Sequence, residues 1–201
     1  MSLSSATFFL TPAAGAGSTG YTCTITDPAS TSIVGSITYN SAAHTVAVSG
    51  QVYFTGNVDL STTSPVTYTG ISSFFVAGTV TAANGSTLCV HVSGSSCDMA
   101  NAMNSSSPGY WDTTKSVLII EAQGALSSTN LSFQGALYSA TSIDLGGGQS
   151  STQGPLVSPH LIVPGQQLNL TFPNFPFIIS SSDPNNQPKF QLATLQGGGS
   201  F

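Results

Sequence analysis

Apolar and polar residues alternate in short runs along this chain, and many of the runs end at a glycine. Residues 46–50, 66–70 and 131–135 each alternate in this way up to the glycine. A period of two residues predicts β-strands with one buried face, and the Gly, Asn, Pro and Ser clusters between the runs predict turns. A helix is predicted only at 97–104, where Asp98 would cap the first turn. The pattern therefore predicts an all-β protein.

The stretches that end at a glycine or proline have an almost constant length. Five of them share a period of about 19 residues, which is in the range of repeat architectures: 32–50, 52–70, 117–135, 136–154 and 155–173. A longer stretch, 71–94, has the same form. A constant period near this length predicts a solenoid, in which each unit buries its apolar face by stacking on the next. We therefore predict a right-handed parallel β-helix of about six coils; a β-sandwich or jelly roll is the alternative, because short strands and regular turns also permit it.

The same period predicts a domain organisation. The expected parts are an N-terminal cap at 1–31, the solenoid at 32–173 with a loop insertion at 95–116 projecting from it, and a C-terminal cap or tail at 174–201. Open strand edges invite aggregation, so the apolar segments 8–10 and 175–179 are expected to cover the two ends. Stacking also places like residues above one another. Leu118, Leu137 and Leu156 are therefore expected to form one interior ladder, and Ile143 is expected to return as Ile162.

Charged residues are scarce, which excludes one class of partner. Only 4% of residues are charged, the net charge is −5, there is no Arg, and the cations are Lys115 and Lys189. Binding of nucleic acid requires clustered Lys and Arg, so no nucleic-acid partner is expected. A chain kept in solution by hydroxyl and amide groups instead of charge is typical of exported surface proteins, and no run is long enough to predict a membrane span.

Four short segments of the repeat resemble a known family. They are an apolar strand, the step Gly135-Ala136-Leu137-Tyr138, the strand Ile143-Asp144-Leu145 and the step Gly154-Pro155-Leu156-Val157. This succession, over about 52–172, resembles the β-helical ectodomains of bacterial type IV pilus-associated, minor pilin-like cell-surface proteins. The resemblance implies an extracellular protein of structural or adhesive function, with sibling subunits of a surface assembly or surface glycans as partners.

Three cysteines leave an odd count. Cys89 and Cys97 lie close together in sequence and are the candidates for a disulfide in an exported protein, which would leave Cys23 free. The alternative is that all three are small buried apolar residues. Their spacing matches no zinc site, so no metal and no cofactor is expected.

Groups that could carry catalysis are few. Asp59 and Asp144 each lie between two apolar residues, so the strand period points both outward into solvent. Glu121 is the only carboxylate near Asp144 and nothing marks the two as a catalytic pair. The three histidines are scattered and are expected to be structural or solvent-exposed: His44, His91 and His160. We therefore expect no enzyme activity and no catalytic residue.

Tyr110 and Trp111 lie in the predicted insertion beside an acidic residue and are the candidate binding residues. An exposed Tyr–Trp pair would form a platform on which a sugar could stack. The alternative, which we favour, is that Trp111 folds back and anchors the insertion. The expected function is a non-enzymatic extracellular structural or adhesive module; a carbohydrate-binding module or a polysaccharide-processing β-helix is the alternative.

Overall fold

The computed structural model describes residues 8–9, 20–26, 33–163 and 168–171. Every regular element in these ranges is a β-strand, and the strands are numbered β1 to β19 in chain order. The prediction of an all-β protein is confirmed for this part of the chain. Of the two segments expected to cover the ends, 175–179 lies outside the described residues. The other contributes β1, which pairs with a strand of the body.

One sheet has six strands, all parallel. In spatial order they are β1 (Phe8–Phe9), β5 (Val58–Asp59), β7 (Val80–Ala82), β12 (Leu126–Ser128), β15 (Ile143–Asp144) and β18 (Leu161–Ile162). Neighbouring strands in this six-stranded sheet are far apart in sequence, as are the paired residues Val80 and Leu126. Parallel strands require such crossover connections.

The second sheet has eleven strands and contains two rows of parallel pairs. The first row consists of β4 (Thr45–Phe54), β6 (Val66–Val76), β11 (Ser116–Ala122), β14 (Ala136–Ser139) and β17 (Leu156–Val157). The second row contains β4 and β6 again, then β8 (Thr87–Cys89), β13 (Ser132–Gln134), β16 (Ser150–Gln153) and β19 (Leu168–Thr171). Strands β4 and β6 are long enough to belong to both rows. At the edge, β2 (Tyr21–Thr26) and β3 (Ile33–Asn40) add antiparallel to β4.

The chain visits these three groups of strands in a fixed order: first row, six-stranded sheet, second row. We call one circuit through the three groups a pass. The complete passes are β4–β5–β6, β6–β7–β8, β11–β12–β13, β14–β15–β16 and β17–β18–β19, where the long strand β6 ends the first pass and begins the second. Glycine marks the corner between the second row and the next first-row strand. Gly50, Gly70, Gly135 and Gly154 occupy this corner, and all have positive φ, between 63° and 145°. A β-carbon at Gly70 would collide with the carbonyl oxygen of Val48, so the corner requires glycine there.

The register departs from a constant period. Leu137 pairs with Leu156, as predicted. Leu118 pairs with Ser72, however, and Ile120 takes the place beside Leu137 that was predicted for Leu118. This part of the prediction is wrong because the chain passes from Ile120 to Leu137 in fewer residues than it needs from Leu137 to Leu156. Leu118 is still buried, at the inward position of β11 that precedes Ile120.

The length of a pass varies because the turns between strands differ in length. The pass from Val52 to Phe74 is longer than the predicted period, and the pass from Phe74 to Ile120 is the longest because it contains residues 90–115. Ile143 pairs with Leu161 instead of Ile162, so that prediction is wrong by one residue. A shift of one residue moves a side chain to the opposite face of a sheet, so Ile162 lies beside Asp144 at an outward position. Leu161 and Ile162 are both 46% exposed on this edge strand.

Inward side chains from the rows and the six-stranded sheet form one apolar core. Its largest fully buried members are Tyr68, Phe74, Phe133, Ile37, Leu118, Ile120, Leu137, Ile143 and Leu145. Phe54 and Phe74 meet edge to face, with ring centroids 5.4 Å apart. Because the inward positions alternate with outward ones along each strand, the outward residues of the three groups form separate surfaces.

Candidate functional site

The chain leaves the eleven-stranded sheet after β8 in the second row and returns to it at β11 in the first row, and residues 90–115 between them form an excursion. It begins earlier in the chain than the predicted insertion at 95–116. Strands β9 (Val92–Ser93) and β10 (Ser96–Cys97) form an antiparallel hairpin, and turns follow as far as β11. The excursion is the longest connection between strands in the described part of the chain.

The helix predicted at 97–104 does not form. Asp98 accepts a hydrogen bond from the backbone N–H of Asn101 at 3.3 Å, and its carbonyl accepts one from the N–H of Ala102 at 3.1 Å. These bonds close a single turn, and no helix continues from it. A helix this short is unstable without strong tertiary support, and the polar Asn-Ser-Ser-Ser-Pro run after it cannot extend it.

A disulfide joins Cys89 to Cys97. Cys89 is the last residue of β8 and Cys97 lies on β10, so the bond ties the start of the excursion to the second row. Both side chains are buried. Cys23 belongs to β2, and its thiol lies outside the described side chains.

Trp111 and Tyr110 do not form an exposed pair. Trp111 is 1% exposed, and its indole Nε1–H donates to the carbonyl oxygen of Ser116 at 2.6 Å. Its backbone N–H donates to the carbonyl of Ala102 at 3.0 Å. Tyr110 is half-buried. Trp111 therefore anchors the excursion at the start of β11, and its ring offers no face on which a sugar could stack.

Two buried glutamines of the second row hold the excursion in place. Gln134 and Gln153 are both 0% exposed, and Nε2 of Gln134 donates to Oε1 of Gln153 at 2.7 Å. Oε1 of Gln134 accepts from the N–H of Val90 at 2.7 Å, and Nε2 of Gln153 donates to the carbonyl of Met99 at 3.1 Å. The hydroxyl of Tyr68 donates to the carbonyl of Gln134 at 2.8 Å. Each buried amide is thus satisfied by the neighbouring pass or by the excursion.

The excursion therefore covers the outward face of β8 and β13 and reaches β16, whereas outward residues that β4 and β6 contribute to the second row, such as Ala47 and Thr69, are exposed. Its Cys97 N–H donates to Oγ of Ser132 at 2.9 Å, and Thr87 of β8 donates through Oγ1 to the carbonyl of Ser95 at 2.8 Å. The outward residues of β8 and β13 are buried for this reason, whereas the middle residues Leu88 and Phe133 point into the apolar core. The expected projecting insertion is instead a segment packed against the body.

The outward face of the first row is different. One register position on its five strands is occupied by Tyr53, Phe75, Glu121, Tyr138 and Val157. We call these five residues the outer strip. Tyr53 and Val157 are 48% and 44% exposed, and the three residues between them are half-buried. Adjacent strands are about 4.8 Å apart, so the strip places an apolar or aromatic group on either side of one carboxylate.

Aromatic rings dominate one half of the outer strip. Tyr53 and Phe75 stack with ring centroids 4.9 Å apart and an interplanar angle of 16°. The Tyr53 hydroxyl donates to Oε1 of Gln51 at 2.9 Å, which holds the ring over its own strand. Aromatic groups at partly exposed positions are typical of contact surfaces, because they bury much area at a small cost in conformational entropy.

Glu121 is the acidic member of the outer strip. It lies between Phe75 and Tyr138 in the register, and no hydrogen bond or ion pair links its carboxylate to any described residue. Burial raises the pKa of Glu121 above its usual value, because a carboxylate is less well solvated there. A half-buried carboxylate that no described residue pairs is a candidate for binding a ligand.

The remaining polar candidates are dispersed. Asp59 and Asp144 occupy one outward register position of the six-stranded sheet but are three strands apart, about 14 Å. Asp59 accepts the N–H of Ser61 at 2.9 Å, and both acids are half-buried instead of fully solvated as expected. No group of three His, Cys, Asp or Glu residues in the described ranges could hold a metal. His44 and His160 are exposed and His91 is half-buried.

Sequence reasoning missed the outer strip, although its signal is present. Each of its first four members is the middle residue of a strand triplet whose flanking residues point inward, as in Val52-Tyr53-Phe54 and Phe74-Phe75-Val76. The strand period assigns the middle residue to the outer face, and only the pairing of strands aligns the four in one line.

No family model, curated protein or solved structure matches the chain. The described residues include no helix that is both long and apolar enough to cross a membrane.

Proposed function

We propose that the chain is a right-handed parallel β-solenoid that serves as a non-enzymatic, extracellular structural and adhesive module of a cell-surface or pilus-associated assembly. Its contact surface is the outer strip. The observation that carries this proposal is the alignment of Tyr53, Phe75, Glu121 and Tyr138 on one outward face, with the largest exposure at Tyr53.

The fixed order of passes supports a solenoid. The chain runs from the first row to the six-stranded sheet and on to the second row in each pass, and each strand pairs in parallel with its equivalent in the next pass. A right-handed path is the usual one for connections between parallel strands. In such a stack each pass depends on its neighbours, so the outer faces are free to carry function.

Composition and the Cys89–Cys97 disulfide support an extracellular location. Disulfides persist in oxidising compartments, and a chain with 4% charged residues relies on hydroxyl and amide groups for its solubility. The separation of Asp59, Glu121 and Asp144 over two sheets supports a function without catalysis, since hydrolysis of sugars needs two carboxylates at a controlled distance. We expect no turnover of pectin, alginate or other acidic polysaccharides.

A carbohydrate-binding module is the second candidate function, and the stacked rings of Tyr53 and Phe75 favour it. Sugars stack on aromatic faces, and Tyr53 is the most exposed member of the outer strip. A polysaccharide-processing enzyme would need a further catalytic pair. The adhesive module would bind a protein on the cell surface, whereas the carbohydrate-binding module would bind a glycan. Each kind of receptor can be destroyed selectively.

Binding of the fluorescently labelled chain to the surface of the producing cells tests the proposal. Cells are left untreated, digested with protease, or oxidised with periodate, which destroys glycans. We expect binding to survive periodate and to be lost after protease digestion. Loss after periodate alone would select the carbohydrate-binding function instead.

A variant pair locates the contact surface. Tyr53→Ser combined with Tyr138→Ser should abolish binding while leaving the thermal unfolding curve nearly unchanged, because both side chains point outward. The control is Thr81→Ala combined with Ser127→Ala, which alters outward residues of the six-stranded sheet that are exposed. If both double variants bind like the intact chain, the outer strip is not the contact surface.

A further inference from the structure

We propose that Glu121, flanked by Phe75 and Tyr138, forms a receptor for the guanidinium group of an arginine in a partner protein. The inference rests on the proposed function, since it names the chemistry that the outer strip recognises.

The geometry suits a planar cation. Glu121 lies on β11, with Phe75 on β6 and Tyr138 on β14 at the paired positions, each about 4.8 Å away across the sheet. A guanidinium group forms two parallel hydrogen bonds with a carboxylate and stacks on aromatic faces. A ligand lying over Glu121 would meet the carboxylate beneath it and an aromatic side chain on each side.

The free state of Glu121 is energetically unfavourable, and a cation would relieve it. The side chain is half-buried, and no described residue donates to it or pairs with its charge. A partly desolvated charge without a partner costs stability, and a neighbouring cation offsets that cost. The raised pKa of Glu121 has the same origin. Asp112, by contrast, is paired with Lys115 at 3.0 Å.

Charge complementarity favours a basic partner, and the arginine would come from outside these 201 residues. The net charge is −5 and the 201 residues contain no Arg. Lys115 is engaged by Asp112, and Lys189 lies outside the described residues. The hydroxyl groups of a neutral glycan can donate hydrogen bonds to the carboxylate but leave its charge unpaired, and one face each of Tyr53 and Phe75 is already occupied by the other ring.

An NMR titration with a matched pair of small probes tests the inference. Nα-acetyl-arginine methylamide carries the guanidinium, and Nα-acetyl-citrulline methylamide has nearly the same shape without the charge. We expect the arginine probe to shift the backbone amide signals of residues 73–75, 119–121 and 136–138, and the citrulline probe to leave them in place. Added salt should weaken the response, because exposed charges are screened.

Variants distinguish the effect of the Glu121 carboxylate on binding from the effect of net charge. Glu121→Gln should weaken arginine binding about tenfold, since it removes the charge-assisted bonds. Asp144→Asn makes the same change in net charge on the other sheet, at a half-buried acid with no aromatic register partner, and should bind like the intact chain. Phe75→Leu and Tyr138→Leu should each weaken binding a few-fold through loss of the cation–aromatic contact.

Equal shifts with both probes, or equal weakening by Glu121→Gln and Asp144→Asn, would overturn the inference. Cellohexaose serves as a neutral glycan probe: if it shifts these signals and arginine does not, the ligand is a glycan. If the Tyr53→Ser/Tyr138→Ser variant loses cell binding but arginine is not discriminated from citrulline, the outer strip remains the contact surface and only the arginine assignment fails. If Glu121→Gln does not fold, the comparison of arginine with citrulline on the intact chain decides.

Discussion

The two rows of the eleven-stranded sheet share strands β4 and β6 but differ in the residue type and the exposure of their outward side chains. The second row carries polar outward residues such as Gln134 and Gln153, and these are fully buried under the excursion. The first row carries aromatic residues such as Tyr53 and Phe75, and these are partly exposed. From residue type alone, the polar face would be expected to be exposed and the aromatic face to be buried. The difference arises because buried amides that are hydrogen-bonded hold structure together, whereas exposed aromatic groups are available to a partner.

The largest expected effect on stability concerns the covered face, by which we mean the outward side of β8, β13 and β16 under the excursion. Trp111→Ala should lower the free energy of unfolding by about 3–5 kcal/mol, because it removes a fully buried indole and leaves the Ser116 carbonyl without its side-chain donor. Urea denaturation measures the change. Tyr110→Ala is the control and should cost much less, since Tyr110 is half-buried. Similar losses for the two variants would show that the excursion does not depend on Trp111.

The disulfide should make the next largest contribution to the free energy of unfolding at the covered face. Replacing Cys89 and Cys97 together by alanine should lower the free energy of unfolding by about 2–3 kcal/mol, because the short loop between them is no longer closed in the unfolded chain. Mass spectrometry of a non-reduced digest should find the two peptides linked and Cys23 free. Three free thiols would remove both the bond and its support for an extracellular location.

Gln134→Leu sharpens the comparison at a single side chain. The change leaves the N–H of Val90 and Oε1 of Gln153 without their partner, and we expect a loss of about 1–3 kcal/mol. Hydrogen exchange at the Val90 amide should accelerate in parallel. Gln123→Leu is the control, since the Gln123 side chain is exposed and makes no described hydrogen bond. An unchanged Val90 exchange rate would contradict the role of Gln134 as the anchor of the excursion.

The smallest expected effect on stability concerns Glu121 in the outer strip, and it depends on pH. Because burial raises the pKa of Glu121 in the folded chain, the folded state holds this proton more tightly than the unfolded state does. Stability should therefore fall as pH rises from the ordinary Glu pKa through the raised one. Glu121→Gln should be more stable than the intact chain at neutral pH, with the difference vanishing in acid. Thermal melting across this pH range measures it, and a variant less stable at neutral pH would mean that Glu121 has a favourable partner.

Much of the local structure could be predicted because it depends on short-range chemistry. Alternation of apolar and polar residues predicted the strands, and glycines 50, 70, 135 and 154 marked the corners because only glycine tolerates their backbone conformation without strain. The pairing of Leu137 with Leu156 followed from the constant period of the repeat. The prediction failed at Leu118, where the pass is shorter, because the length of a pass depends on how each turn packs against its neighbours.

The sequence by itself determined which residues form strands and corners, and it made Cys89 and Cys97 the candidate pair. Only the tertiary structure decided which outer face is covered and which is open. The excursion folds over Gln134 and Gln153 because backbone groups 44 and 54 residues away from them supply the hydrogen bonds, and no local pattern encodes such contacts. The outer strip arises likewise from pairing between passes, which brings Tyr53, Phe75, Glu121 and Tyr138 into one line although they are far apart in sequence.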